Sequence, residues 1–261
     1  MLISSNIIDK LVRISFLSSE YLPHHTDEMH KYENNLLNGL HSIEKNQLNE
    51  AGFVVVKSTT EVFNRATLFK LQTDLGSFIT NHESSTDGVF TIQVEDGGRI
   101  TAKKSVGQML HTDNGLLEKV PKYVSLLCIR KAEYGGYSLL VDSTKMANFF
   151  YSRYGEKIYT DSLVHYYSKK AIYSKKVFDL DEQGGINTMF LPFCHHIETN
   201  SSFAGYLYLK VRKYLANPAN HIIFKLHPNE ILIFDNHSMI HSRTEFNPES
   251  KRQLLRLWYS G

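Results

Sequence analysis

The sequence predicts a mainly β fold with flanking helices, a sandwich or barrel formed as a single domain. Three observations carry this expectation. The second half is dense in short apolar and β-branched runs separated by Gly, Pro, Asn and Asp turns. Strands do not alternate regularly with long helices, as a doubly wound sheet would require. A chain of 261 residues that is 42% hydrophobic can also bury a sizeable core without dividing. Within that domain, about residues 1–82 read as a helical scaffold and 83–261 as the β unit with its lid. No repeat, low-complexity tract or flexible linker interrupts the chain.

Taken in order, residues 5–50 read as mostly helical, because Ile7/Ile8 and Leu11/Val12 recur at helical spacing, as do Leu36, Leu37, Leu40 and Ile43. Leu22-Pro23-His24-His25 punctuates them as an exposed turn whose histidines lack an acidic or cysteine partner at ligand spacing. Ala51-Gly52 ends the region, and Phe53 to Val56 is a short buried strand. A second helix is expected from Thr60 and Phe63 to about Ile79, with Leu68, Leu71, Leu75 and Phe78 on one face. Gly88 to Val94 alternates apolar and polar residues, Glu95-Asp96-Gly97-Gly98 turns, and Arg99 to Val106 is polar and extended. This hairpin is either a cover for the stretch around His111 or an ordinary surface hairpin. Lys122 to Arg130 and Tyr137 to Asp142 are strands joined through Gly135-Gly136, with Ser138, Leu140 and Asp142 on one face. Ser143-Thr144 caps a helix to about Tyr154. Tyr159 to Phe193 holds short strands split at 181–185, and Ser202 to Leu215 is an amphipathic helix ended by Asn217-Pro218. Ile231 to Phe234, Ser238 to Glu245 and Lys251 to Tyr259 are the last strands.

Composition narrows the function classes. Lys and Arg (29) exceed Asp and Glu (27) by two, and no basic run is longer than two residues, so nothing suggests an electrostatic grip on nucleic acid. A small-molecule partner is expected. Cys128 and Cys194 lack the spacing of a zinc knuckle and are too few for a disulfide framework, which predicts two buried thiols. The apolar segment Ile7 to Leu17 is interrupted by Asp9, Lys10 and Arg13, so it reads as neither a signal peptide nor a spanning helix. The expectation is a soluble cytoplasmic protein without a membrane partner.

Chemistry concentrates around Gln108-Met109-Leu110-His111-Thr112-Asp113-Asn114-Gly115. In an extended strand, residues two apart share a face, so His111 and Asp113 could grip one cation together. Such pairs arise easily in a chain with 13 His and 27 acidic residues, and a third ligand is needed. His241, in a later strand, can supply it if the strands close around a common centre. Two imidazoles and one carboxylate on one face of an octahedron suit non-haem Fe(II) and leave positions open. The final strand places Arg252, Leu254, Arg256 and Trp258 on one face. Buried guanidinium groups there ask for anions, and Arg is suited to holding a carboxylate; on an edge strand they would face water instead.

Together, His111-Thr112-Asp113, Gly135-Gly136-Tyr137-Ser138, Phe234-Asp235-Asn236 through His241-Ser242-Arg243-Thr244-Glu245-Phe246, and Arg252 to Trp258 resemble the Fe(II)/2-oxoglutarate-dependent oxygenases of the taurine dioxygenase and clavaminate synthase-like (TauD/TfdA) superfamily. Ala51-Gly52-Phe53-Val54-Val55-Val56 is similar to an early strand of that family. The resemblance implies a double-stranded β-helix (jelly-roll) barrel. It makes His111, Asp113 and His241 the iron ligands and matches Arg252, eleven residues after His241, to the arginine that pairs with the distal carboxylate of 2-oxoglutarate. Ser138 stands where the family usually has a Thr bonded to the same group. Arg256 matches a second arginine near the keto-acid end or the substrate, and Arg252 and Arg256 could exchange these roles. The implied reaction consumes O2 and 2-oxoglutarate, releases succinate and carbon dioxide, and attacks an unactivated C–H bond. A carboxylate at 113 argues against halogenation, because halogenating relatives carry a small residue there.

Hydroxylation of a small molecule, such as an amino acid or specialised metabolite, is the expected outcome. Gln108, Asn114 and Arg243 are candidates for substrate contact or for support of the ligands. Alternatives are desaturation or epimerisation at the same iron, a non-catalytic barrel that binds a small acid or metal, and a zinc hydrolase using the same ligands. The last leaves Arg252 and Arg256 without a task.

Overall fold

The apolar runs of the sequence become strands, and of the four sheets they form among the described residues two face each other, with helices outside them. The computed structural model describes residues 29–80, 84–95, 101–116, 119–168, 171–192, 194 and 196–261. In chain order the elements are β1 (Tyr32–Glu33), α1 (Ser42–Ala51), β2 (Phe53–Lys57), α2 (Arg65–Lys70), α3 (Gln72–Leu75), β3 (Phe78–Ile79) and β4 (Phe90–Gln93). They continue with β5 (Tyr123–Arg130), β6 (Ser138–Asp142), α4 (Ser143–Tyr154), α5 (Lys157–Thr160), β7 (Leu163–Tyr167), β8 (Ile172–Lys176), β9 (Phe178–Leu180), β10 (Ile186–Thr188) and β11 (His196–Thr199). The last are α6 (Ser202–Leu215), β12 (Ile222–Phe224), β13 (Glu230–Asp235), β14 (Met239–Arg243) and β15 (Gln253–Tyr259).

The larger sheet has seven strands in the order β1-β2-β13-β5-β15-β3, with β4 also paired to β15. A three-stranded sheet, β12-β6-β14, faces it. Alternation along β2 shows why the layers stack: Val55 joins Leu232, Leu254 and Trp258 in a core shared with Leu140, Phe224 and Met239 of the smaller sheet. Val54 and Val56 point the other way, onto Leu48 of α1 and Leu68, Leu71 and Leu75 of the α2–α3 region. On its outer side the smaller sheet buries Val141 and Ile240 against Met146 and Phe150 of α4 and Leu207 and Val211 of α6. Each large side chain so buried contributes about 1.5–3 kcal/mol. Among the described residues no continuous ladder closes the two sheets into a barrel. Instead, isolated pairs His111–His241 and Gly135–Phe246 lie beside the smaller sheet.

Several local expectations are corrected. Residues 5–28, including Leu22-Pro23-His24-His25, lie outside the described residues, and 29–40 are not helical. Leu36 has φ 54° with its N–H held by Asn34 Oδ1 at 2.7 Å, and only Leu36 and Leu40 of the apparent stripe are buried, while Leu37 and Ile43 are exposed. A loop that tucks in two leucines has imitated a helical face. The second helix starts after Asn64, whose side chain accepts from the Ala66 N–H, and stops at Gly76, where φ is 84°. Phe78–Ile79 is therefore strand, paired with Trp258 and Tyr259. Among the described residues of the expected 88–106 hairpin there is one strand: Phe90–Gln93 pairs with β15, and Thr101–Lys103 is a 3₁₀ turn. Asp142, rather than Ser143 or Thr144, caps α4 by accepting from the Lys145 N–H. Cys128 is buried and Cys194 half-buried, both as free thiols. No helix among the described residues is long and apolar enough to cross a membrane.

Candidate metal centre

Backbone pairing brings the His-x-Asp motif to its third partner. His111 and His241 exchange main-chain hydrogen bonds of 2.9 and 3.0 Å, which sets the motif along the free edge of β14. The chain does not stay extended as the spacing suggested; it turns over 113–116, with Asn114 at φ 51°. Thr112 anchors the turn by accepting from the Phe190 N–H and donating to the Thr188 carbonyl. The Asn236 side chain accepts from the Asp113 N–H at 2.8 Å and donates to the Asp113 and Pro121 carbonyls. As a result His111 Nε2 and His241 Nε2 stand 3.4 and 3.6 Å from Asp113 Oδ1. The three prospective ligand atoms lie within 4.8 Å of one another.

The protonation states suit a cation. His111 Nδ1 is 2.8 Å from the Met109 carbonyl, which can only accept, so Nδ1 carries a proton and Nε2 is the ring nitrogen that faces Asp113. Burial, with the neighbouring His111 ring, holds His241 to about 4, so it is a neutral imidazole. Burial would raise the Asp113 pKa, but Arg256 and the two imidazoles outweigh it and hold the carboxyl well below the usual range. Asp113 Oδ2 is held by Arg256 Nη1 at 3.0 Å and Trp258 Nε1–H at 2.9 Å, while Oδ1, which the same Arg256 nitrogen reaches at 3.3 Å, faces the histidines. Two ring Nε2 atoms and a carboxylate oxygen thus converge at short range. A divalent cation resolves that convergence, and an all-N/O donor set without thiolate suits ferrous iron.

The remaining predicted residues fall into two groups. Arg256 is on Asp113, clasped between Phe90 and Trp258 at 4.7 and 4.2 Å from their ring centres. Ser138, Arg243 and Arg252 lie in a second cluster: Ser138 is the direct cross-strand partner of Arg243, and both guanidinium groups lie over the Phe246 ring. All three are buried. Gly136 makes room for Arg252, since a Cβ there would be 3.3 Å from the Arg252 Cδ and Nε. Gln108 donates its main-chain N–H to the Arg243 carbonyl. Asn114 Nδ2 is buried without a hydrogen-bond partner among the described residues. Sequence reasoning missed Trp258 and Asn236 as supports of Asp113. Strand alternation had put Trp258 on the Arg256 face, a usable signal, whereas Asn236 read only as a turn residue.

The sequence as a whole answers the question the site raises. The model of the taurine catabolism dioxygenase TauD, TfdA family matches residues 33–258, and the chain belongs to this family. It is an oxidoreductase, a 2-oxoglutarate-dependent dioxygenase with Fe(II) as its metal. Similar solved structures include asparagine oxygenase in complex with Fe(II), 2S,3S-3-hydroxyasparagine and succinate, at 16% identity and TM-score 0.67, covering 84% of this chain and 78% of that one. PvcB, an Fe, α-ketoglutarate-dependent oxygenase from an isonitrile synthetic pathway, is 17% identical with TM-score 0.64, covering 92% and 93%. A taurine dioxygenase from Burkholderia xenovorans is 15% identical with TM-score 0.65, covering 90% and 89%. At these identities the likeness is one of fold. No curated protein matches the chain.

Proposed function

We propose that His111, Asp113 and His241 hold the Fe(II), that Arg252 and Ser138 seat the distal carboxylate of 2-oxoglutarate, and that the enzyme hydroxylates an unactivated C–H bond of a small molecule such as an amino acid or specialised metabolite. The two sheets then form the halves of a double-stranded β-helix. The observation that carries this reading is the set of three buried donor atoms within 4.8 Å of one another. When bound, iron with 2-oxoglutarate supplies the oxidising power, and the protein's own part is to position and to exclude water. The Met109 carbonyl fixes the tautomer of His111, and Arg256 and Trp258 fix which oxygen of Asp113 is offered. Arg252 is 5% exposed with no carboxylate within ion-pair distance among the described residues, as expected of a group that waits for an anionic ligand. Cys128 is no countercharge for it, because burial pushes that thiol up to about 11 and keeps it protonated. Gln108 and the unpartnered Asn114 Nδ2 stand beside the ligand pair and are the side chains we assign to substrate contact. Asparagine oxygenase, with hydroxyasparagine in its solved complex, supports an amino acid or a derivative as the substrate class.

The test is a screen of amino acids and related metabolites for stimulated conversion of 2-oxoglutarate to succinate, with mass spectrometry of the product. His241→Ala is expected to abolish stimulated turnover. Undiminished turnover in that variant would remove the iron assignment.

A further inference from the structure

Two buried guanidinium groups pack against one ring, that of Phe246, and the proposed function employs only one of them. Arg243 is 5% exposed, yet its Nε and Nη1 have no hydrogen-bond partner among the described residues. Its remaining nitrogen, Nη2, donates to the Lys104 and Val106 carbonyls. The main chain adds to that contact: Gln108 N–H donates to the Arg243 carbonyl and Phe246 N–H to the Ser105 carbonyl. The 104–108 segment, which leads directly into His111, is therefore fastened along the chain from Arg243 to Phe246 largely by this one residue.

Arg243 lies next to the residues proposed above to seat the cosubstrate carboxylate. Arg243 lies two residues beyond His241 on β14, so both project to one face of the strand. Across the ladder its direct partner is Ser138. Its guanidinium lies 4.5 Å from the centre of the Phe246 ring, and that of Arg252 lies 5.3 Å from the same centre. Burial brings the Arg252 pKa down to about 10. Lys225, close enough to Arg252 to be depressed by it, adds more positive charge. No carboxylate among the described residues pairs with either arginine. Two unpaired buried cations are costly, and the cost is recovered when an anion arrives.

We infer that Arg243 is a second anchor for the distal carboxylate of 2-oxoglutarate, shared with Arg252, and that through its Nη2 it joins cosubstrate binding to the seating of the 104–108 segment. This rests on the assignment of Arg252 and Ser138 to that carboxylate. Arg243 then selects for a 2-oxo acid with an anionic far end, and bound cosubstrate steadies further the 104–108 segment that its Nη2 already holds. Its role is one of positioning.

The assignment is tested by calorimetric titration of the protein with 2-oxoglutarate and with pyruvate, which has the same 2-oxo acid head but no distal carboxylate. Both titrations are made with Mn(II) in place of iron and with circular dichroism as the check of fold. Arg243→Met is expected to weaken 2-oxoglutarate roughly 10- to 100-fold and to leave pyruvate unchanged, with Arg243→Lys between. In the parent protein 2-oxoglutarate slows amide exchange over 104–108, and in Arg243→Met it does not. Equal losses for the two ligands, or unchanged 2-oxoglutarate affinity in a folded Arg243→Met, overturn the inference. Arg252→Met separates the two levels: if it weakens 2-oxoglutarate while Arg243→Met does not, only the second anchor falls. If neither variant changes the affinity, the Arg252 assignment and the inference fall together.

Discussion

Asp113 is the residue on which the site turns, because its two oxygens are given different work by their neighbours. Oδ2 takes the Trp258 indole N–H and the shorter contact of the Arg256 guanidinium, and Oδ1, with the longer one, faces two imidazoles. Trp258 is the single tryptophan of the chain and is nearly buried, so its N–H has a partner at a place where an unpaired donor would be costly. Replacing it by Phe keeps most of the packing and removes only that donor. We expect Trp258→Phe to weaken Mn(II) binding about tenfold, in the range seen when a group that orients a metal ligand is lost, with little change in melting temperature. An unaltered metal affinity would show that Arg256 alone orients the carboxylate. Arg256 has the same logic on the cation side, since it lies between Phe90 and Trp258 and is fixed before any ligand binds.

At the scale of elements, the turn Gly135-Gly136 does what no other pair of residues could do there. Both have positive φ, 65° and 69°, and the Gly136 N–H donates to the Glu245 carbonyl. A Cβ at Gly135 would lie 2.0 Å from that carbonyl oxygen, against backbone that cannot move aside. Gly135→Ala is therefore expected to destabilise by about 3 kcal/mol or more. Gly184→Ala, at φ 82° but with nothing near its Cβ, should cost only about 1–2 kcal/mol of conformational strain. Denaturant midpoints of the two variants provide the comparison, and equal losses would contradict the steric account. The same distinction between local and distant causes explains what the sequence disclosed. β2, β5, β13 and α6 were legible because their apolar patterns are set by the sheet or helix face each one buries. The strand Phe90–Gln93 was legible too, but its partner was not: the adjacent turn chemistry suggested a hairpin, whereas the β15 edge took the pairing. Leu36 and Leu37 misled for a related reason, since spacing cannot report that Asn34 holds the backbone in a left-handed turn. In the site, residue types that bear charge or ligate metal were conspicuous as sequence. Asn236 was not, because its three hydrogen bonds exist only after the 111–116 loop and the β13–β14 turn have met.

Over the whole molecule, the candidate centre joins parts of the chain that have no local reason to stay together. His111 and Asp113 come from a loop, His241 from the smaller sheet, and Arg256 and Trp258 from the larger sheet. A cation held by the first three, with Asp113 held in turn by β15, links the two facing sheets at the rim where no continuous ladder does so. Ion binding to the folded state alone must then stabilise the fold by mass action. At an ion concentration about 100 times the dissociation constant the gain is about 2.7 kcal/mol. For a domain of this size that corresponds to roughly 5–10 °C in melting temperature. Asp113→Ala should abolish the rise and also lower the metal-free melting temperature, because it leaves the buried Arg256 without its carboxylate. His241→Ala should abolish the rise while leaving the Arg256–Asp113 pair intact, so its metal-free loss should be smaller. Melting curves of the three proteins with chelator and with Mn(II) separate these effects. A rise of equal size in both variants would place the stabilising ion elsewhere and break the link between this centre and the joining of the sheets.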